Sequence, residues 1–291
     1  MTATPDGTSA AAAGELTLGG DLTVRRMGFG AMRITGEGIW GEPPDQEAAR
    51  ALLRHAVELD VNLIDTADSY GPEVSENLIA EALHPYPDDL VIATKGGLLR
   101  DGPGKWRPDC RPEHLKQACE ASLKRLRLDT IDLYQLHTPD ARVPFAESVG
   151  ALADLRTEGK VRHVGLSNVG AKHVAEAREI VPIVSVQNRY SVTSPHSEEV
   201  LGTCTQDGLG FIPWFPLDTG SLAGDTGAVN EVAQAHGAAP AQVALAWLLQ
   251  HSPVMLPIPG TSSSVHLEEN VAAAALRLDK QELDTLSNLG R

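Results

Sequence analysis

The chain has 291 residues, of which 42% are hydrophobic and 22% charged, a composition typical of a globular protein with a large core. Its formal net charge of −15 argues against nucleic acid and against anionic membrane surfaces, because both are bound through wide basic patches. The sequence has no run of 18 apolar residues, so we expect no transmembrane helix. These features favour a protein that binds a small molecule, as a monomer or weak homo-oligomer.

Three scattered cysteines, Cys110, Cys119 and Cys204, have no CxxC spacing. This sparse, odd number is typical of a reduced cytoplasmic protein with structural thiols, and it offers no Cys/His cluster for a metal. Residues 1–14 are small or polar and lack the basic and leucine-rich parts of a signal peptide, so we predict a disordered tail there. The remainder, 15–291, has no linker and is expected to form one domain.

The first predicted element is a β-hairpin, because residues 15–26 alternate apolar and polar side chains around Gly19-Gly20. After the hairpin, eight short apolar runs predict eight strands. These runs cover residues 27–34, 61–67, 90–96, 131–137, 163–168, 183–190, 210–216 and 254–260.

Amphipathic stretches with apolar residues at i, i+3 and i+4 separate the eight runs and predict helices. In the long stretch 221–250 we expect two helices, with a break near Gly237 and Pro240. Eight strand–helix repeats predict an α/β fold of the (β/α)8 TIM barrel type. The alternative, an open doubly wound sheet, usually carries a GxGxxG motif after its first strand, and this chain has none there.

Polar residues at the ends of successive strands are candidates for chemistry, because active sites of such barrels lie at the carboxyl ends of the strands. Asp65, Tyr70, Lys95 and His137 all follow or end an apolar run. Singly, each has a structural reading, as a helix cap, a packed ring, an ion pair or a core histidine. Together they suit hydride reduction of a carbonyl: Tyr70 donates the proton, Lys95 lowers the pKa of Tyr70, Asp65 fixes Lys95 and His137 orients the carbonyl oxygen.

Six segments resemble the signatures of the aldo-keto reductase family, in the family's order, from about residue 15 to the C-terminus. They are NLIDTADSYGPEVSENLIAEAL, VIATKGG, DLYQLH, VRHVGLSNV, SVQNRYS and IPGTSSSVHLEENV. The resemblance implies a barrel reductase that binds NADPH extended across the strand ends. It also implies a catalytic tetrad at Asp65, Tyr70, Lys95 and His137.

The resemblance places the nicotinamide end of the cofactor against residues that follow the fifth, sixth and seventh strands. Ser167, Asn168 and Gln187 would hold the carboxamide, and the ring of Trp214 would stack on the nicotinamide. Asp65 is expected to contact the cofactor as well as to serve in catalysis. Further cofactor contacts are expected from small or apolar residues near the strand ends. These are Gly30, Ala31, Met32, Phe215, Pro216 and Leu217, while the Gly-rich stretch 218–223 is expected to lie over the pyrophosphate.

The resemblance places the adenosine 2′-phosphate at the helix that follows the eighth strand, where Thr261, Ser262 and His266 are expected to bind it. Glu269 and Asn270 would reach the adenine. Many members carry Lys and Arg at the positions of Gly260 and His266, so the preference for NADPH is expected to be looser here, with NADH possible. No acidic residue lies within 260–266 to bind a free ribose diol, which favours NADPH.

Two loops are expected to form the substrate pocket. Trp40 and Trp106 are candidates for its walls, and Arg100 is a candidate to attract an anionic substituent. The segments GIWGEPP and HPYPDDL are similar to those of the bacterial pyridoxal reductase-like subgroup of the family. A pyridoxal-type aldehyde is therefore a candidate substrate.

Two other functions remain open at this point. A regulatory NADPH-binding subunit would share the barrel but show little turnover. A Schiff-base aldolase would use Lys95 as its nucleophile.

Overall fold

The computed structural model describes residues 8–217 and 227–290. The strands are β1 Glu15–Leu18, β2 Leu22–Arg25, β3 Phe29–Gly30, β4 Leu63–Asp65, β5 Val91–Gly96, β6 Leu98–Gly102, β7 Lys105–Pro108, β8 Ile131–Leu136, β9 Val161–Ser167, β10 Ile183–Arg189 and β11 Gly210–Trp214. Seven parallel strands form one sheet in the order β11-β10-β9-β8-β5-β4-β3, and two antiparallel pairs, β1–β2 and β6–β7, lie outside it.

Helices cover the outside of this sheet and bury their apolar faces against it. They are α1 Gln46–Glu58, α2 Val74–Leu83, α3 Pro112–Leu126, α4 Phe145–Thr157, α5 Ala171–Arg178, α6 Glu198–Asp207, α7 Gly227–His236, α8 Pro240–His251, α9 Ser264–Ala272 and α10 Lys280–Ser287. The predicted break near Gly237 and Pro240 is confirmed, since α7 ends and α8 begins there. None of the helices in the described part of the chain is long and apolar enough to cross a membrane.

The two edge strands of the sheet are linked through the segment 254–257. Phe211 donates its N–H to the carbonyl of Val254 over 2.9 Å, and Leu256 donates to the carbonyl of Phe211 over 2.8 Å. On the opposite side, Gly28 donates to the carbonyl of Pro257 over 3.0 Å. The expected α/β, TIM-barrel-like fold is thereby confirmed. The predicted eighth strand is only a bridge to β11, because Pro257 and Pro259 have no N–H for a ladder.

The hairpin β1–β2 covers the end of the barrel at which the strands begin. Leu18, Leu22 and Val24 are buried in a cluster with interior side chains such as Leu63 and Leu133. This apolar plug closes the amino-terminal end. A ligand must therefore enter from the carboxyl ends of the strands.

Two expectations about local structure were wrong. Disorder was predicted over 1–14, but within that range Ala10–Ala13 form a short 3₁₀ helix capped by Ser9. The methyl group of Ala10 is small enough to pack fully buried, and its N–H donates to the carbonyl of Leu59 over 2.9 Å. The first barrel strand, predicted over 27–34, is only Phe29–Gly30, and the chain then turns into a 3₁₀ helix.

Candidate active site

Four polar side chains meet where the parallel strands β4, β5 and β8 end. Asp65 ends β4, Lys95 lies next to the end of β5, and His137 directly follows β8. Tyr70 lies in the loop between β4 and α2. Parallel pairing brings the ends of these strands to the same rim, and all four side chains are at least nine-tenths buried.

Lys95 is the centre of this group and uses its ammonium in three hydrogen bonds. Its Nζ lies 2.7 Å from Asp65 Oδ1, 2.8 Å from the carbonyl of Thr66 and 3.4 Å from the hydroxyl of Tyr70. The other oxygen of Asp65 accepts from Gln135 over 3.1 Å and from Gln187 over 2.8 Å. The carboxylate is thus fixed from both sides, and Lys95 is fixed by the carboxylate.

Burial raises the pKa of the Tyr70 phenol, and the positive charge of Lys95 offsets part of this rise. The sequence-based expectation that Lys95 brings the pKa below its usual value was therefore wrong for the net effect, although the direction of the Lys95 contribution was right. The reason is that the hydroxyl loses its hydration in the closed pocket. Tyr70 is consequently protonated at neutral pH and can donate a proton.

His137 packs against the ring of Tyr70. Its ring lies edge-on to that of Tyr70 with centroids 5.9 Å apart, and its Nδ1 lies 3.4 Å from the hydroxyl of Ser69. Burial, and secondly the charge of Lys95, hold the pKa of His137 well below its ordinary value. The imidazole is therefore neutral and suited to hydrogen bonding rather than to carrying charge.

The lowered pKa of His137 leads to a prediction about how the unfolding free energy depends on pH. Below pH of about 6.5 the unfolded chain binds a proton at this residue that the folded chain does not, so the folded state loses stability as the pH falls. We expect the unfolding free energy of the wild type, relative to His137→Gln, to drop between pH 7.5 and pH 5.5. Urea titrations of both proteins at the two pH values measure this, and an unchanged difference would contradict the buried neutral histidine.

A cleft of about 350 Å³ opens above these residues. It is lined by most of the residues that the sequence singled out: Gly30, Met32, Asp65, Tyr70, Trp106, His137, Ser167, Asn168, Gln187, Trp214, Phe215, Pro216, Leu217 and Gly260. Lys95 lies beneath it, in contact with Tyr70 and Asp65. The predicted stretch 218–223 lies outside the described residues.

Some predicted cofactor residues do not line this cleft. Ala31 is buried behind Gly30 and Met32 and accepts a hydrogen bond from Ser75. Around α9 the hydroxyls mainly organise the start of the helix: Thr261 accepts from the N–H of Ser263, and Ser263 caps α9. Ser262, which precedes α9, is exposed, as are His266 and Glu269 on the helix, whereas Asn270 is buried.

The cleft also contains residues that the sequence reasoning missed. They are Arg33, Ile39, Leu98, Ile258 and Pro259. Arg33 is exposed, and its Cγ would lie 3.6 Å from a β-carbon placed at Gly260. Arg33 could have been found from the sequence, because it is a basic residue close to the end of the first strand. It was missed because that strand was predicted to extend through residue 34.

Asn168 organises the nicotinamide-binding residues that the sequence predicted. Its Nδ2 donates to the carbonyl of His137 over 2.9 Å and to the hydroxyl of Ser167 over 3.1 Å, and its Oδ1 accepts from the indole of Trp214 over 3.0 Å. Its backbone adopts a left-handed φ of 58°, which asparagine tolerates better than most residues. Both amide protons of Asn168 are thus used within the protein, and its effect is to hold Ser167 and Trp214 at the cleft.

Arg100, a candidate from the sequence to attract an anionic substituent, is not part of the cleft lining, and its role toward anions stays a prediction. Its guanidinium donates to backbone carbonyls and lies between the rings of Trp40 and Trp106. Trp106 lines the cleft, as predicted, whereas Trp40 is not part of the lining. A sequence does not show that carbonyls from two distant loops converge on one arginine.

Fold and site together define a class of protein: a barrel enzyme with a buried Tyr–Lys–Asp–His group beneath an open cleft at its strand ends. Comparison with known proteins agrees. The model of the aldo/keto reductase family matches residues 26–291. The chain therefore belongs to the aldo/keto reductase family, as its sequence segments indicated, and it is an oxidoreductase.

Individual relatives cover nearly the whole chain. A Schizosaccharomyces pombe protein named as an uncharacterized oxidoreductase is 49% identical over 290 residues, which is 100% of this chain and 94% of that protein. Pyridoxine 4-dehydrogenase of Escherichia coli is 43% identical over 278 residues, or 94% of this chain and 97% of that one. The solved structure of an aldo-keto reductase from Klebsiella pneumoniae in complex with NADPH has a TM-score of 0.80 and 27% identity, over 95% and 94% of the two chains.

Proposed function

We propose that this protein is an NADPH-dependent reductase that converts an aldehyde or ketone into the alcohol on a closed (β/α)8 barrel. The observation that carries the proposal is the contact between the Lys95 ammonium and the Tyr70 hydroxyl, 3.4 Å apart at the base of the cleft. A protonated phenol at that place is the proton donor that carbonyl reduction needs. The NADPH bound by the Klebsiella relative supports the cofactor.

In this proposal the extended dinucleotide lies along the cleft, with its nicotinamide next to the catalytic group. At one end the chain segments of Gly30 and Gly260 approach so closely that a β-carbon at Gly30 would come within 2.6 Å of the carbonyl of Ile258. Glycine at both positions is therefore required by this close approach of backbone to backbone, which also forms part of the cleft lining. At the other end, Ser167, Gln187 and the ring of Trp214 offer the polar and aromatic contacts that suit a nicotinamide.

In this mechanism the bound NADPH supplies the hydride, and the protein's residues manage the proton and the geometry. Tyr70 gives its proton to the carbonyl oxygen as negative charge develops there. Lys95 stabilises the phenolate that remains, because its ammonium lies beside that oxygen. Asp65 holds Lys95 in position, and neutral His137 orients the carbonyl oxygen.

The contacts of Lys95 oppose the aldolase alternative. A Schiff-base lysine must be an uncharged amine, but all three protons of Lys95 have acceptors. Burial alone would lower its pKa, yet the charge of Asp65 and the phenol of Tyr70 outweigh burial, and the net pKa is raised. The complete catalytic group opposes the regulatory alternative, since a subunit without turnover has no need of it.

The substrate class is a pyridoxal-type aldehyde in this proposal. The 43% identity to pyridoxine 4-dehydrogenase over most of both chains supports it. The test is consumption of NADPH, and separately of NADH, with pyridoxal, benzaldehyde and propanal. Turnover of at least one aldehyde with NADPH is expected. Its absence with all three would leave the reductase proposal without support and favour the regulatory subunit.

Arg33 gives a separate prediction about the cofactor. It is the exposed cation at the end of the cleft where Gly260 and His266 replace the usual Lys and Arg. A charge-assisted bond to phosphate is worth about 1.5–3 kcal/mol, so Arg33→Ala should raise the KM for NADPH roughly tenfold or more with little change in kcat. Steady-state kinetics against Arg54→Ala, an exposed arginine on α1, measure this. An unchanged KM would remove Arg33 from the cofactor site.

A further inference from the structure

Arg100 connects three parts of the chain that surround the mouth of the cleft. Its Nη1 lies 2.5 Å from the carbonyl of Ile39 and 3.2 Å from that of Ser69. Its Nη2 lies 2.9 Å from the carbonyl of Gly38 and 3.4 Å from that of Gly102. Backbone carbonyls from distant segments therefore hold both Nη groups of the guanidinium in place.

The same guanidinium lies against the face of Trp106. Its Cζ is 3.7 Å from the centroid of that ring and 5.6 Å from the centroid of Trp40, both within the range of cation–π attraction. Trp106 belongs to the hairpin β6–β7, and an isolated two-stranded hairpin is only marginally stable in water. The position of the Trp106 indole at the cleft thus depends on what anchors the hairpin, and Arg100 is such an anchor.

Ser69 ties this anchor to the catalytic group. Its carbonyl accepts from Arg100, while its hydroxyl lies 3.4 Å from Nδ1 of His137, and Tyr70 is the next residue. The lining of the cleft also includes the apolar side chains of Ile39 and Leu98. Trp106, Ile39 and Leu98 give an aromatic ring apolar surface to contact, and none of these three side chains offers a carboxylate a counterion.

We propose that Arg100 is a positioning residue that fixes the indole of Trp106 as one wall of the substrate pocket, and that this wall favours carbonyl compounds bearing a flat ring. The inference rests on the proposed reductase function and adds a substrate class to it. Arg100 acts in this proposal through the indole that it holds, since backbone carbonyls accept from both of its Nη groups. Trp40 lies on the guanidinium away from the cleft lining and supports it there.

The experiment compares benzaldehyde, 4-carboxybenzaldehyde and propanal as substrates with NADPH. In Arg100→Ala and Arg100→Gln, KM for benzaldehyde should rise about tenfold, the equivalent of roughly 1.4 kcal/mol. The loss with propanal should be clearly smaller, because propanal has no ring to stack and responds only to the lost contact of Arg100 with Ser69. Arg100→Lys should keep only part of the wild-type affinity for benzaldehyde, because an ammonium cannot donate to four carbonyls at once. The wild type should use 4-carboxybenzaldehyde less well than benzaldehyde.

Arg107→Ala is the matched control, because Arg107 lies on the same hairpin but pairs with exposed Asp101; it should leave all three substrates unaffected. Combining Arg100→Ala with Trp106→Ala should cost no more for benzaldehyde than Trp106→Ala alone. If Arg100→Ala loses benzaldehyde and propanal reduction equally, or if its KM for benzaldehyde does not change, the inference about Arg100 is overturned while the reductase function stands. Preference for 4-carboxybenzaldehyde that disappears in Arg100→Gln would show an anion site instead. No NADPH oxidation by the wild type with any aldehyde would overturn the reductase function itself.

Discussion

Replacing Tyr70 by phenylalanine should reduce kcat for aldehyde reduction by about 10²–10⁴, the usual contribution of a general acid. The ring stays, so packing against His137 is retained and only the proton donor is lost. The hydroxyl contributes one long contact to the fold, 3.4 Å to Lys95, and folding stability should change little. Steady-state kinetics and a thermal melt of Tyr70→Phe measure both effects.

Tyr134→Phe is the matched control for this prediction. Tyr134 is a fully buried tyrosine of the same barrel, and its hydroxyl has no hydrogen-bond partner among the described residues. Its removal therefore breaks no bond and should leave kcat as it is. Should Tyr70→Phe retain more than a tenth of the wild-type kcat while Tyr134→Phe behaves like the wild type, another group would have to be the proton donor.

The catalytic group was predictable because strand ends are readable in a sequence. Asp65, Lys95 and His137 each end a clear apolar run, and parallel strands bring such ends together. The supporting contacts were not predictable. Gln135 bonds Asp65 from inside β8, in a run that reads simply as a buried strand, and the choice of which side chain turns into the barrel depends on tertiary packing.

The fold shows the same division between local pattern and long-range contact. The hairpin β1–β2 and the α7–α8 break follow from local glycine and proline signals. The segment of the hairpin β6–β7 was predicted to be a loop, because its largely exposed strands do not alternate apolar and polar residues. The position of Arg100 depends on carbonyls of residues 38, 39 and 69, and no local pattern predicts such a convergence.

The buried pair of Asp65 and Lys95 should be the most costly part of the site to disturb. Both side chains are almost fully buried, at 2% and 0% exposure, and 2.7 Å apart. Removing one partner leaves a buried charge without its counterion, which typically costs about 3–5 kcal/mol. We therefore expect Asp65→Asn and Lys95→Met each to lower the unfolding free energy by roughly that amount, with the larger loss for Asp65→Asn. In Lys95→Met the amides of Gln135 and Gln187 still bond the carboxylate.

The double variant separates stability from chemistry. With Asp65→Asn and Lys95→Met combined, no buried charge is left unpaired, so the unfolding free energy should be higher than in either single variant. Activity should nevertheless stay as low as in Lys95→Met, because no ammonium remains beside the Tyr70 hydroxyl to stabilise the phenolate. Urea unfolding and kcat of all three variants test this. Additive destabilisation in the double variant would mean that the pair is not coupled, and recovery of activity would mean that Lys95 acts only through the fold.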